Sequence, residues 1–272
     1  MKKSAESDFT VLIPVYDQED PRKFRNALET IFDNTLQPAE VLVVCDGPLT
    51  AELNNVLDSF GCYSILRIHR LPVNGGIVVA LNEGLQLINT PIVVRCDSDD
   101  VNHRDRFAHV IKELQNGFSV VGSQIDEVDE SNNKLPQKLL PVSHDEIVTY
   151  AQKRNPLNHM TVGFWKVDVL AAGGYPNIYM KEDYALWVTM LGRNFKFHNI
   201  NRSLVTVTAG TSMLARRGGL KASWSEIRLQ HKLFKSGVSS LPKAFLYGTI
   251  RFVLLISPIS IRAWFYRKVL RK

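Results

Sequence analysis

The sequence predicts an α/β fold built on a central, largely parallel sheet, and three observations predict it. Short β-rich runs alternate with helical stretches through the first two hundred residues, the pattern of repeated strand–crossover–strand units. Acidic or polar turns close the apolar runs, at Tyr16-Asp17, Asp46-Gly47 and residues 97–100. The composition is that of a folded chain: 272 residues, 45% hydrophobic and 22% charged, which excludes a disordered or collagenous protein and allows a self-supporting core.

The elements follow in order. Residues 10–15 (TVLIPV) read as a buried strand ending at Pro14-Val15-Tyr16, and Pro21–Phe32 as a helix with Phe24, Leu28, Ile31 and Phe32 near helical spacing. Residues 40–44 (EVLVV) form the second strand. Leu53, Val56, Leu57 and Phe60 make the next helical stripe, and residues 65–69 a short strand. Residues 76–88 are predicted helical, with Val79, Leu81, Leu85 and Ile88 inward. Residues 91–95 (PIVVR) run as a strand straight into Cys96-Asp97-Ser98-Asp99-Asp100. Right-handed crossovers put the loops after these strands on one sheet edge, where open α/β sheets bind ligands. Beyond Gly117 the pattern loosens. Strands are predicted at 119–128, 160–165, 194–200 and 204–208, and helices at 143–153 (opened by a Ser143/Glu146 capping box), 166–172 and 181–191, with Gly173-Gly174 as a stop signal.

Charge divides the chain. Residues 1–210 carry 20 basic and 26 acidic side chains, a balance of −6; residues 211–272 carry 13 basic side chains and one acid, Glu226, a balance of +12. The average would suggest a nucleic-acid binder, but an acidic body with a basic tail argues against nucleic acid as the partner. Residues 241–272 mix seven basic side chains with many aliphatic and aromatic ones. Arg251, Arg262 and Pro258 make a bilayer span unfavourable; amphipathic helices lying on an anionic membrane face are the expectation, with a docked helix pair or an oligomer contact as the alternative. The N-terminus lacks an apolar signal core, so the body is expected in the cytoplasm. Cys45, Cys62 and Cys96 are expected to be buried, reduced thiols.

Two clusters carry chemistry. Three carboxylates within residues 97–100 repel one another, and such a loop calls for a counter-cation; carboxylate oxygens suit a hard divalent ion, Mn²⁺ or Mg²⁺. Glu182-Asp183 opens a helix rich in apolar side chains (Tyr184, Leu186, Trp187, Met190), so one of the two acids points inward, where desolvation raises its pKa as a general base requires. The bland alternatives are a solvated acidic turn and acids satisfying a helix dipole. Asn74-Gly75-Gly76 lacks the GK[ST] ending of a phosphate-binding Walker loop.

Taken jointly, FTVLIPVY (9–16), EVLVVCDG (40–47), the 74–84 stretch, DSDD (97–100) and KEDYALW (181–187) stand in the order and spacing of family 2 glycosyltransferases. The chain resembles these nucleotide-sugar enzymes of the GT-A fold over about residues 9–215. It is most similar to the bacterial enzymes that assemble O-antigen, capsule or exopolysaccharide repeat units. A catalytic domain over residues 1–215 and a basic helical tail over 216–272 follow. The resemblance implies that Pro14 and Tyr16 line the base pocket and Asp46 binds uracil. Asn74, Gly76 and Asn82 would flank base and ribose, and Asp97 and Asp99 hold the metal and donor diphosphate. It makes Asp183 the catalytic base, with Glu182 at the acceptor. His159 and Trp187 lie toward the donor or acceptor sugar, a surface histidine being the alternative for His159. Arg216 and Arg217 follow a lid segment over the diphosphate. Cys45 replaces the first acid of a common Asp-Asp pair, so base recognition rests on Asp46, and no third metal ligand is identifiable. The implied reaction is inverting hexosyl transfer (galactose, glucose or an N-acetyl form) from a UDP-sugar to a lipid-linked acceptor, at the inner face of the cytoplasmic membrane. A sugar-phosphate nucleotidyltransferase is the weaker enzymatic alternative, because residues 14–17 (PVYD) lack the basic glycine-rich loop it needs; a non-enzymatic membrane or nucleic-acid adaptor is the other.

Overall fold

A computed structural model of the chain describes residues 8–208 and 219–257. Strands and helices alternate: β1 (Phe9–Val15), α1 (Pro21–Phe32), β2 (Glu40–Cys45), α2 (Ala51–Ser59), β3 (Leu66–Arg70), α3 (Ile77–Leu87) and β4 (Ile92–Arg95). Next come β5 (Val101–Asn102), α4 (Arg106–Gln115), β6 (Val120–Val128), α5 (His144–Ala151), β7 (Gly163–Trp165), α6 (Lys166–Ala171), α7 (Glu182–Gly192) and β8 (Phe197–Thr208). Two long helices, α8 (Leu220–Lys235) and α9 (Leu241–Ile256), follow.

The eight strands among the described residues join one sheet in the order β3-β2-β1-β4-β7-β6-β8-β5. The half from β3 to β4 is parallel. β7 then runs antiparallel to β4 and β6, β8 lies parallel to β6, and β5 closes antiparallel on β8. The sheet is therefore mixed, with its parallel half at the N-terminus as the crossover pattern predicts. The strands alternate side chains between two cores. On one face Leu12, Leu42, Val44 and Val93 pack with α3, α5, α7 and α8; on the other, Val11, Ile13, Val41, Val43 and Val94 pack with α1, α2 and α4.

Only five residues separate β4 from β5 (96–100), yet four strand spacings lie between them in the sheet order. Those spacings total about 19 Å in a flat sheet. The turn-containing segment is shorter than that, so the sheet curls and the acidic cluster bridges its returning edge. Asn102 confirms the return: its backbone N–H donates to Thr30 Oγ1 of α1 at 3.1 Å.

Four sequence expectations are corrected. Residues 160–165 are not one strand: a 3₁₀ turn over His159–Thr161 precedes the short β7, because Thr161 is turned back onto Asn158 O at 2.8 Å. The two strands predicted at 194–200 and 204–208 are a single strand, β8, whose register against β6 slips near Ser123 and Gln124. Val79 faces outward while Leu81, Leu85 and Ile88 are buried. Cys62 is exposed, although all three cysteines are free thiols. α4 and β5 were not anticipated. The boundary proposed at 215/216, Arg216, Arg217 and residues 258–272 lie outside the described residues.

Candidate active site

The parallel strands β1, β2 and β4 deliver Tyr16, Asp46 and the 97–100 loop to one edge. Asp46 is buried and its Oδ1 accepts from Gly75 N–H at 2.7 Å. Gly47 has φ +88°, and a Cβ there would stand 2.7 Å from Asn74 N; only glycine lets the β2 end approach the 73–76 loop so closely. Asn74 Oδ1 receives Gly76 N–H at 3.2 Å, and Gly76, at φ +85°, starts α3 with open space where a side chain would stand. Pro14, Tyr16, Asp46, Asn74 and Gly76 thus line one polar edge. Asn82 does not join them. Its side-chain amide is committed on both sides to Tyr175, donating to the carbonyl and accepting from the N–H, each at 2.9 Å. It clamps the 173–175 turn to α3.

Asp97, Asp99 and Asp100 bring ligand oxygens within 4.8 Å of one another. Burial and then mutual repulsion raise the pKa of Asp99, through Asp97, and hold that of Asp100 well up, through Asp97 and Asp99. Counter-charge comes first from within the protein. Arg95, 2% exposed, ion-pairs with Asp97. Fully buried Arg106 of α4 donates to Arg95 O at 2.5 Å, to Cys96 Sγ at 3.2 Å and to Asn102 Oδ1. Two buried guanidiniums therefore tether the loop from below. Asp100 Oδ2 nevertheless remains buried without a hydrogen-bond partner, and the carboxylate set fits a hard divalent cation at its open side. Glu19, beyond β1, joins the rim: burial followed by the charges of Asp99 and Asp97 pushes its pKa up to about 7, against a smaller pull from Ser98.

Glu182 and Asp183 open α7. Asp183 is half-buried; its Oδ2 accepts from Asn155 Nδ2 and its Oδ1 from Tyr184 N–H, both at 2.6 Å. Burial raises its pKa against those two hydrogen bonds, and burial plus the Asp183 charge raises that of Glu182. Both acids feel Arg95, as do Asp99 and Asp100. The charge of this one buried cation thus acts on both acid clusters, and it ion-pairs with the first of them through Asp97.

His159 and Trp187 floor the site. His159 Nε2 lies 3.0 Å from Tyr175 Oη, and its ring centroid is 6.1 Å from that of Trp187, edge-on. Burial and then Arg95 hold its pKa well below the usual imidazole value, so it is neutral. It is not a surface histidine. Trp187 is 0% exposed, which corrects its assignment to a sugar: the indole supports the Tyr175/His159 pair and cannot reach a ligand. Arg95, Arg106, Glu19, Tyr175 and Asn155 were missed by the sequence reading. For Arg95 a signal existed, a charged residue closing an otherwise apolar buried strand directly before the acids.

Comparison with known proteins gives the family and the fold. The description "Glycosyl transferase family 2" matches residues 10–173. The chain is 34% identical over 267 residues, 97% of each chain, to the UDP-Gal:alpha-D-GlcNAc-diphosphoundecaprenol beta-1,3-galactosyltransferase of Escherichia coli. It is 32% identical over 266 residues, 96% of this chain and 98% of the other, to the amylovoran biosynthesis glycosyltransferase AmsE of Erwinia amylovora. Among solved structures, TarS 1-349 of S. aureus in complex with UDP-GlcNAc superposes with a TM-score of 0.71 at 15% identity, covering 96% of this chain and 76% of that one. The mannosyltransferase PcManGT of Pyrobaculum calidifontis, in complex with GDP-Man and Mn²⁺, gives 0.60 at 16%, covering 94% and 82%. The α/β fold is that of the GT-A glycosyltransferases, and the chain belongs to glycosyl transferase family 2 and is a glycosyltransferase.

Proposed function

We propose that this glycosyltransferase moves a hexosyl unit from a UDP-sugar to a hydroxyl of a lipid-linked saccharide, with inversion at the anomeric carbon, in the synthesis of a bacterial surface polysaccharide. The observation that carries this reading is the acidic loop after β4, whose three carboxylates converge within 4.8 Å, together with Asp183 at the start of α7 held by Asn155. The galactosyltransferase relative, named for UDP-Gal and a diphosphoundecaprenol-linked acceptor, supports the donor and acceptor classes.

In this reading the edge from Pro14 and Tyr16 to Asp46, Asn74 and Gly76 receives the nucleoside. Asp97 and Asp99 hold a divalent cation, Mn²⁺ or Mg²⁺, which when bound supplies positive charge against the departing diphosphate. Arg216 and Arg217 add cations from the segment after β8. Asp183, oriented by Asn155, accepts the proton of the acceptor hydroxyl as that oxygen bonds to the anomeric carbon. The carbon–oxygen bond to the diphosphate breaks on the opposite face, and its electron pair leaves with UDP. Glu182 contacts the acceptor. His159, neutral and fixed by Tyr175, is placed to shape the sugar end of the cleft.

The test is turnover of a panel of UDP-hexoses with a polyprenyl-diphosphate-linked GlcNAc acceptor, following UDP release and the anomeric configuration of the product. Expected are one preferred UDP-hexose, an inverted linkage and loss of activity in EDTA. A retained configuration, or full activity in EDTA, would overturn the corresponding part.

We also propose that residues 241–272 hold the enzyme on the inner, anionic face of the cytoplasmic membrane. No helix among the described residues is long and apolar enough to cross a membrane. α9 instead leaves Phe245 (75% exposed), Leu246, Val253 and Ile256 open to the outside. Separately, a cleft of about 710 Å³ between α7 and α8 is lined by Arg193, Arg228, Lys232 and Lys235 and by no carboxylate. Exposed apolar side chains in a segment whose charges are all basic match an anionic headgroup layer.

A further inference from the structure

We propose that Glu226, the one acid of the basic tail, is a positioning residue for Asp183, fixing from a distance both the helix that carries this carboxylate and the loop that orients it. The inference rests on the reading of Asp183 as the catalytic base.

Glu226 lies on the inward face of α8 and is 0% exposed. Burial alone would favour its neutral form, but two cations outweigh that and its pKa is lowered. Its Oε2 is 3.1 Å from Lys181 Nζ; its Oε1 accepts from Gln230 Nε2 at 2.8 Å and lies 3.3 Å from Arg251 Nη1 of α9.

Each cation leads to Asp183 by a different route. Lys181 is the residue immediately before α7, and its carbonyl receives Ala185 N–H at 2.8 Å. Its own N–H bonds Ile178 O at 2.9 Å across a turn in which Met180 takes φ +57°, a conformation that a branchless but bulky side chain adopts only when its surroundings impose it. The pull of Glu226 on Lys181 therefore sets where α7 begins, two residues ahead of Asp183. Along the second route, Arg251 also donates to Lys153 O, and Lys243 Nζ of α9 donates to Gln152 Oε1 at 3.0 Å. These bonds seat the end of α5 and the loop that carries Asn155, whose amide holds Asp183 Oδ2. Tyr184 Oη, donating to Ala151 O at 2.7 Å, ties the two routes together.

A buried ion cluster of this kind adds little net stability over apolar residues of the same shape, while it does specify one arrangement of its partners. The arrangement specified here ends on both oxygen-bearing sides of the base, and displacement by a fraction of an ångström to 1 Å at such a group costs up to about 100-fold in rate.

The test is steady-state kinetics, with donor and acceptor varied separately, on three full-length variants. In Glu226→Gln the expected result is a kcat lowered about 10- to 100-fold with the donor KM within about twofold. The acid limb of the kcat–pH profile should also move to lower pH, because Lys181, no longer neutralised, acts on Asp183 alongside Glu182 and Arg95. The triple variant Lys181→Met/Glu226→Met/Arg251→Met replaces the cluster by apolar volume and covers the case in which the single variant unfolds. It should melt at or above the wild-type temperature and remain slow. Wild-type kcat in either variant, or a loss confined to the donor KM, would overturn the proposal. Asp183→Asn in the same assay separates the two claims: an active Asp183→Asn removes the underlying base assignment, whereas an inactive one beside fast Glu226 variants removes only the positioning role.

Discussion

Arg95 illustrates how much one side chain decides. It closes β4, is buried, ion-pairs with Asp97, and its charge favours the ionised forms of Asp99, Asp100, Glu182 and Asp183. Asp183→Asn keeps the shape but discards the proposed proton acceptor; kcat should fall by about 10²–10⁴ with an unchanged melting temperature. Glu19 gives a pH-dependent expectation. Its folded-state pKa of about 7 lies above the ordinary 4.5, so the native state retains this proton longer than the unfolded chain. Native stability from this group is then lost as pH rises between those values. Glu19→Gln keeps the neutral form throughout and should raise the metal-free melting temperature above wild type at pH 8, with the gap closing toward pH 4. A gap independent of pH would show that Glu19 is not held in its protonated form by the acidic rim.

At the level of elements, the N-terminal half was legible because period-2 and period-3.6 patterns there are reinforced by burial on both sheet faces. α1 matched to the residue, since Asp20 caps it and Pro21 suits its first turn. The capping box at Ser143 was equally readable. α4 was not: it begins at buried Arg106, a side chain whose place in the interior depends on Arg95 O, Cys96 and Asn102, none of which a local pattern reveals. The same holds in the site. The carboxylates were visible as a motif, whereas Asn155 reaches Asp183 across 28 residues and Asn82 reaches Tyr175 across 93. Close helix–sheet approach supplies another test. A Cβ on Gly84 of α3 would fall 2.5 Å from Leu12 Cδ1 and 3.2 Å from Val44 Cγ2. Gly84→Ala should therefore destabilise by about 1–3 kcal/mol, read as a lower denaturant midpoint, despite the better helix propensity of alanine.

For the whole molecule, the division of charge takes on a structural meaning. The basic segment is no detachable appendage, because its lone acid is drawn into the interior and α9 packs on α8 through Ala244 and Gly248. Membrane attachment is accordingly tested on the outward face and not by truncation. Replacing Phe245, Leu246 and Val253 by serine should weaken sedimentation with phosphatidylglycerol vesicles at least about tenfold, given 1.5–3 kcal/mol or so for each large apolar side chain inserted. Turnover of a water-soluble acceptor should stay at the wild-type level. Equal sedimentation of the triple variant would place the attachment elsewhere. The curl of the sheet carries a last consequence. Since residues 96–100 join β4 to an edge strand that returns beside α1, they cannot open without parting β5 from β8 and loosening α1. Amide protons of residues 96 and 102, bonded to Leu12 O and Thr30 Oγ1, should exchange with deuterium only in step with global unfolding. On the proposed reading, the acidic bridge should then be as slow to exchange before a nucleotide sugar arrives as after, so that donor binding leaves the path of residues 96–100 unchanged.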